Sequence, residues 1–234
     1  MKKPNLKILW IVLIVMLSLV GVAVIVGVLN ATIGGGKWKI GWQSFRYHEE
    51  GYNIGSGTVW SSEIKEVEIH WAGGDVEILV TDDDRYPSLT ETSQERLHES
   101  AELRWSVDAN GKLTVWYRKS GWALASSMPD KHLILRLPRR MAEGLSALTV
   151  VGDGTDVEIK GVLASQTTVE TGRGDVSFVL PESASFAITL ETKAGKLLSE
   201  LDMTTLGGTS TRGTGEKQIL VRTTAGSVHI KKQA

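Results

Sequence analysis

The chain has 234 residues, 41% of them hydrophobic and 23% charged, with no cysteine and a formal net charge of −1. This balance suits one sizeable domain with appendages, and it excludes the strongly basic surface that nucleic acid or anionic lipid requires. Without disulfides, an exported part must hold itself by core and backbone pairing alone, which favours a large β domain over a small stapled module.

Residues 1–7 (MKKPNLK) carry Lys2, Lys3 and Lys7 and no acid, and residues 8–29 run for 22 positions without a charge. At about 1.5 Å per residue that run reaches roughly 33 Å, enough to cross a bilayer core as a helix. The basic flank puts residues 1–7 in the cytoplasm and everything beyond residue 29 outside. The expected location is therefore the cell membrane, single-pass, with an extracytoplasmic C-terminal part. A cleavable signal peptide is the competing reading, but its apolar region is usually about 7–15 residues and ends at a small-x-small site. The three lysines removed, the exported part keeps 23 basic residues against 27 acidic ones, a formal charge of −4.

Residues 30–58 are rich in glycine and aromatics without sustained periodicity and read as a juxtamembrane linker that can supply a first strand. Trp38 and Trp42 within it suit either a headgroup anchor or packing on the domain. From residue 59 to 234 the pattern is β. Val67, Ile69 and Trp71 alternate with Glu66, Glu68 and His70, and Gly73-Gly74-Asp75 turns into Val76 and Ile78. Residues 82–101 are the least patterned, with Pro87 and the Asp run as a turn and residues 94–101 as a short helix or loop. Leu103, Trp105 and Val107 then alternate towards Asn110-Gly111, a hairpin signal leading into Leu113, Val115 and Tyr117. Leu133, Leu135 and Leu137 end at Pro138.

Five segments share one grammar, clearest in residues 167–179 (TTVETGRGDVSFV). The pairs Ile69/Val76, Val150/Val157, Val169/Val176, Leu190/Leu197 and Val221/Val228 are each seven residues apart. Gly74, Gly174, Gly195 and Gly226 sit two positions before the later member, while the Val150/Val157 copy carries Gly152 and Gly154 instead. Two short strands per unit, with later anchors spaced 19, 21 and 31 residues apart, fit a β-solenoid of coils stacked in succession. The long last interval reads as an insertion over residues 204–216. Lys231-Lys232, after the last strand, suits a charged guard on an exposed C-terminal edge.

The membrane span, VEIHWAGGDVEIL, ILRLP, LTVVGDGTDVEIKGV, TTVETGRGDVSFV, FAITLETKAGKL and GTGEKQILVRTTAGSVHI, in that order, resemble the bacterial putative-adhesin family of β-strand-repeat proteins. This is a domain of unknown function whose members include accessory proteins of Lia-type envelope-stress loci. The resemblance covers about residues 60–234. It implies a β-helix-like fold and an exported, non-catalytic role in the cell envelope, with no catalytic residues to transfer. Leu197-Leu198-Ser199 departs from the pattern by lacking the second apolar anchor, so that coil is expected to be irregular.

Parallel β-helices include glycan-cleaving enzymes, so Asp75, Asp156 and Asp175, which recur just before an inward valine, are candidates for catalysis or Ca²⁺ binding; turn formation is the alternative. Residues 152–156 resemble a glycine-rich calcium repeat but hold Glu158 where an apolar residue is needed and lack the nine-residue period. Three adjacent carboxylates at 82–84 cannot all face one ion in an extended chain. The histidines (His48, His70, His98, His132, His229) lack metal-ligand spacing, and no nucleophile elbow or phosphate loop is present. Catalytic, metal and cofactor sites are therefore each expected to be none. Of the eight tryptophans, Trp71 and Trp105 alternate inward, Trp116 falls on the opposite face and Trp122 in a loop. Trp116 and Trp122 are the candidate contacts to a ligand or partner, with end-capping as the alternative.

The reading is an all-β, β-solenoid domain held outside the cell by one N-terminal transmembrane helix, non-catalytic, with a binding or adhesin-like role at the envelope. Its partners would be cell-wall glycan or another membrane protein. The alternatives are a regulatory or structural subunit of an envelope-stress sensor and a polysaccharide-acting enzyme.

Overall fold

A computed structural model describes residues 52–82, 84–94, 102–117, 131–152 and 154–233. The predicted span, Trp38, Trp42 and Trp122 lie outside them. Among the described residues no helix is long and apolar enough to cross a membrane.

The described residues form an all-β fold, with one short helix, α1 (Arg139–Glu143), and eighteen strands in two sheets among them. The repeat grammar explains the pairing: in each unit one strand joins the first sheet, the chain turns, and the next joins the second. The units are β3 (Glu66–Trp71) with β4 (Gly74–Thr81), β9 (Ala147–Gly152) with β10 (Asp156–Lys160), and β11 (Gln166–Thr171) with β12 (Val176–Leu180). Two more follow, β13 (Phe186–Thr192) with β14 (Leu197–Ser199), and β17 (Lys217–Thr223) with β18 (Val228–Lys232). A sixth, lacking the short corner, is β7 (Lys112–Tyr117) with β8 (Lys131–Pro138).

Parallel register aligns the inward residues into columns. Val115, Ile69, Val150, Val169, Val221 and Leu190 form one column in the first sheet. Leu133, Val76, Val157, Val176, Val228 and Leu197 face them from the second. All but Leu190 and Leu197 are buried, and each such side chain removed from water contributes about 1.5–3 kcal/mol. Trp71 and Trp105 point inward as expected, at 2% and 8% exposure. The expected antiparallel hairpin is β6 (Arg104–Val107) with β7.

The expectation of tiers stacked in succession is overturned. The first sheet runs β7-β3-β9-β11-β17-β13 through its parallel part and the second β8-β4-β10-β12-β18-β14. The last unit in the chain is thus inserted between the two that precede it. The corner glycines record the same order: a Cβ on Gly174 would lie 1.8 Å from the Thr155 oxygen, one on Gly226 1.9 Å from the Gly174 oxygen, and one on Gly195 1.9 Å from the Gly226 oxygen. Consequently Lys231-Lys232 guards no edge, because β18 is paired on both sides, with β12 and β14.

Antiparallel strands cover the stack elsewhere. β1 (Asn53–Ile54) pairs with β6, and β2 (Gly57–Thr58) with β5 (Ser88–Ser93), which lies on β8. The segment read as an insertion is a hairpin, β15 (Thr204–Leu206) and β16 (Thr209–Arg212), lying on β13.

Candidate functional site

The recurrent aspartates belong to the corners. Asp156 Oδ1 accepts the Asp175 N–H at 2.7 Å, and Asp175 Oδ1 accepts the Ser227 N–H at 2.7 Å. Each carboxylate therefore satisfies a backbone donor of the next tier in space, the structural use that turn aspartates serve. Outward-facing carboxylates are likewise committed to ion pairs. His70 Nε2 at 2.6 Å and the Lys112 ammonium hold Glu68 down to about pKa 2, against burial that pushes it up. Lys160 at 2.7 Å lowers Glu77, which also faces His132 at 3.5 Å. A carboxylate held ionised is a poor general acid. Among the described residues no group of three or more His, Cys, Asp or Glu side chains is arranged to hold a metal ion.

A depression of about 520 Å³ lies beside the β15–β16 hairpin. Its one guanidinium, Arg212, donates to the Asp202 and Glu182 carbonyls at 2.9 and 2.6 Å. Those bonds hold the hairpin in place.

The exposed aromatic surface is elsewhere. Val59 and Ile64 are buried at 0% and 3%, pinning both ends of the loop between β2 and β3. Between them Trp60 is thrown outward, 79% exposed. The Val59 N–H donates to the Pro87 carbonyl at 2.8 Å and sets this loop beside residues 84–87. Trp60 there meets Tyr86 edge-on, with ring centroids 5.2 Å apart at 61°, and the Arg85 guanidinium stands 5.4 Å from the Tyr86 centroid. The result is an indole face open to water next to a cation and a phenol. Such a surface can stack on the C–H face of a sugar or an apolar side chain while Arg85 and the phenol offer polar contacts.

Trp116 lies on the outer face of the first sheet, as alternation predicts, and is half-buried. Tyr52 packs on it edge-on at 4.9 Å and 77°, and its strand neighbours are His70 and Arg104. Trp122 lies outside the described residues. Trp60 escapes the sequence reading because alternation assigns faces only within strands, and residues 59–65 form a loop. The available signal is a tryptophan between Val59 and two serines, outside any period.

No family model and no curated protein matches the chain. Among solved structures, a crystal structure of a putative cell adhesion protein from Clostridium sporogenes is similar, with a TM-score of 0.51 and 10% identity, covering 78% of this chain and 100% of that one. At that identity the likeness speaks to the all-β fold alone. The motif resemblance to the putative-adhesin family therefore has a structural neighbour of adhesin-like description, and no family match beside it.

Proposed function

We propose that this chain is a membrane-anchored, extracytoplasmic β-solenoid that acts without catalysis, as an adhesin-like binder of cell-envelope glycan. The observation that carries the binding role is Trp60, a large indole left 79% exposed on a pinned loop and flanked by Tyr86 and Arg85. Burying an indole on a ligand recovers the apolar surface that folding leaves wet. The two-sheet parallel tiers with stacked corner glycines support the solenoid reading. The uncharged run at 8–29 behind a basic tail supports the anchor and the topology. Non-catalysis is supported by Asp156 and Asp175, whose carboxylates are spent on backbone donors.

The test is co-sedimentation of the full chain, in mild detergent, with purified cell-wall sacculi. Trp60→Ala should lower retention at least roughly tenfold, the scale of a binding hot spot, and Tyr86→Ala should lower it less. Loss in Trp116→Ala or Trp122→Ala instead would move the site to the outer face or the 118–130 segment. No wall retention, with one membrane protein co-purifying, would replace this reading by the regulatory-subunit one.

A further inference from the structure

Three of the four ends of the parallel stack are closed by antiparallel strands: β6 on β7, β5 on β8, and β16 on β13. The fourth is bare. β14 is the edge of its sheet, and among the described residues nothing pairs beyond it. A parallel strand left at an edge is an open template for another chain. Its surroundings are apolar: Leu198 is 49% exposed, and a groove of about 390 Å³ beside it is lined in part by Leu190, Leu197, Leu201 and Met203.

We infer that β14 is a self-association edge, on which a second copy of this chain pairs its own β14 antiparallel about a two-fold axis at Leu198. The backbone fixes which groups are available. The Lys196 carbonyl accepts from Val228 and the Glu200 N–H donates to Ile230, so the even-numbered positions bond inward to β18. By alternation, the N–H and C=O of Leu197 and Ser199 point outward. An antiparallel partner satisfies all four when Leu197 faces Ser199 of the second copy and Ser199 faces its Leu197. That register sets Leu198 opposite Leu198 and Lys196 opposite Glu200 of the second copy, at both ends.

The segment Lys196-Leu197-Leu198-Ser199-Glu200 is therefore self-complementary in backbone, apolar contact and charge. Shifting the axis to Leu197 or Ser199 sets Lys196 or Glu200 against Leu198 and loses both charge pairs. One Glu200 oxygen accepts the Lys232 N–H of β18 at 2.9 Å, so the charge pair with the second copy would use the other oxygen. Among the described residues the Lys196 ammonium has no ion-pair partner within its own chain. Pairing also extends the sheet across the dimer and covers the open end of the groove, where Ser199 ends the column that Leu135, Ile78, Ile159, Phe178 and Ile230 begin.

The chain has no cysteine, so a single introduced thiol reads the axis directly. Opposed residues of a non-hydrogen-bonded antiparallel pair have Cα atoms about 4.5 Å apart, within the range a disulfide spans. The experiment oxidises the full chain in mild detergent carrying Leu198→Cys, with Asn110→Cys, an exposed position on the β6–β7 turn, as the control. Leu198→Cys should give a covalent dimer at least ten times faster than Asn110→Cys. Adding Lys196→Glu should slow it roughly tenfold by replacing two attractions with two repulsions, and adding Glu200→Lys to that variant should restore the rate. Equal cross-linking of the two cysteines, or a charge swap that fails to restore the rate while circular dichroism shows folded protein, overturns the proposal. Because the readout needs no glycan, it is independent of the binding function proposed above.

Discussion

At the scale of single residues, Lys131 is a cation buried in the core. Its side chain is 0% exposed, its ammonium 2.5 Å from Glu91 Oε2, and the Tyr117 and Trp71 rings lie 3.5 and 5.3 Å away. Burial pushes this lysine below its ordinary pKa while Glu91 opposes the shift. The other Glu91 oxygen accepts the Leu103 N–H at 2.9 Å, so one carboxylate ties β5 to two neighbouring segments. Removing one partner of a buried pair leaves the other charge stranded, at a cost of about 3–5 kcal/mol, whereas replacing both is often close to neutral. Glu91→Gln should therefore destabilise by that order in chemical denaturation, and Glu91→Gln/Lys131→Met should recover most of the loss, since Gln still accepts from Leu103. A double variant no more stable than the single one would mean that the ion pair itself holds the site. Half of this cluster is legible in the sequence: Lys131 shares the parity of Leu133, Leu135 and Leu137 and so faces inward. The acid is not, because β5 buries only Leu89 and shows no period.

At the scale of elements, the corner between the sheets is a Thr-x-x-Gly unit. The Gly174, Gly195 and Gly226 N–H groups donate to Thr171, Thr192 and Thr223 Oγ1 at 3.2, 2.8 and 2.9 Å. The threonine closes the turn, and the glycine lets the next tier approach at backbone distance. The glycines stand out in the sequence through the seven-residue pairs. Their threonines do not, because Thr171 and Thr223 occupy inward parity where an apolar residue is expected and are buried by their corner bonds. The β15–β16 hairpin is hidden for the opposite reason: only Ser210 of its seven strand residues is buried, so neither strand alternates. Gly174→Ala would drive a methyl group into the Thr155 carbonyl, a backbone group that cannot yield without moving a strand. Gly154, at φ 86° with nothing within 4 Å of a Cβ, faces only the left-handed backbone penalty, about 1 kcal/mol. Thermal denaturation should show Gly154→Ala lowering Tm by a few degrees and Gly174→Ala abolishing a cooperative transition or lowering Tm far more. Equal shifts would mean the corners are not in backbone contact.

For the molecule as a whole, the order of the tiers decides how it assembles and where it is strongest. In a stack built in chain order, the last unit is an end tier with one neighbour. Here β17 lies between β11 and β13, and β18 between β12 and β14, so the last unit has two. The period near 20 reveals that tiers exist but cannot reveal this order, because every unit offers the same inward columns to either neighbour. The register Val169↔Val221 joins positions 52 residues apart, and pairings this distant in sequence make folding slow and late. The unit β13–β14 has no tier to rest on until β17–β18 arrives. A chain ending at residue 216 should therefore lose an interior tier, uncovering the edges of β11 and β12, rather than shed a dispensable end. In the intact protein the same order is readable by amide hydrogen exchange, which reports the stability of each paired strand. At dilutions where the chain is monomeric, the Val221 and His229 amides, the latter facing β12 rather than β14, should exchange only through global opening, and those of Leu197 and Ser199 on β14 orders of magnitude faster. Protection of β18 as weak as that of β14 would place the C-terminal unit at an end of the stack, and the inserted tier would be wrong.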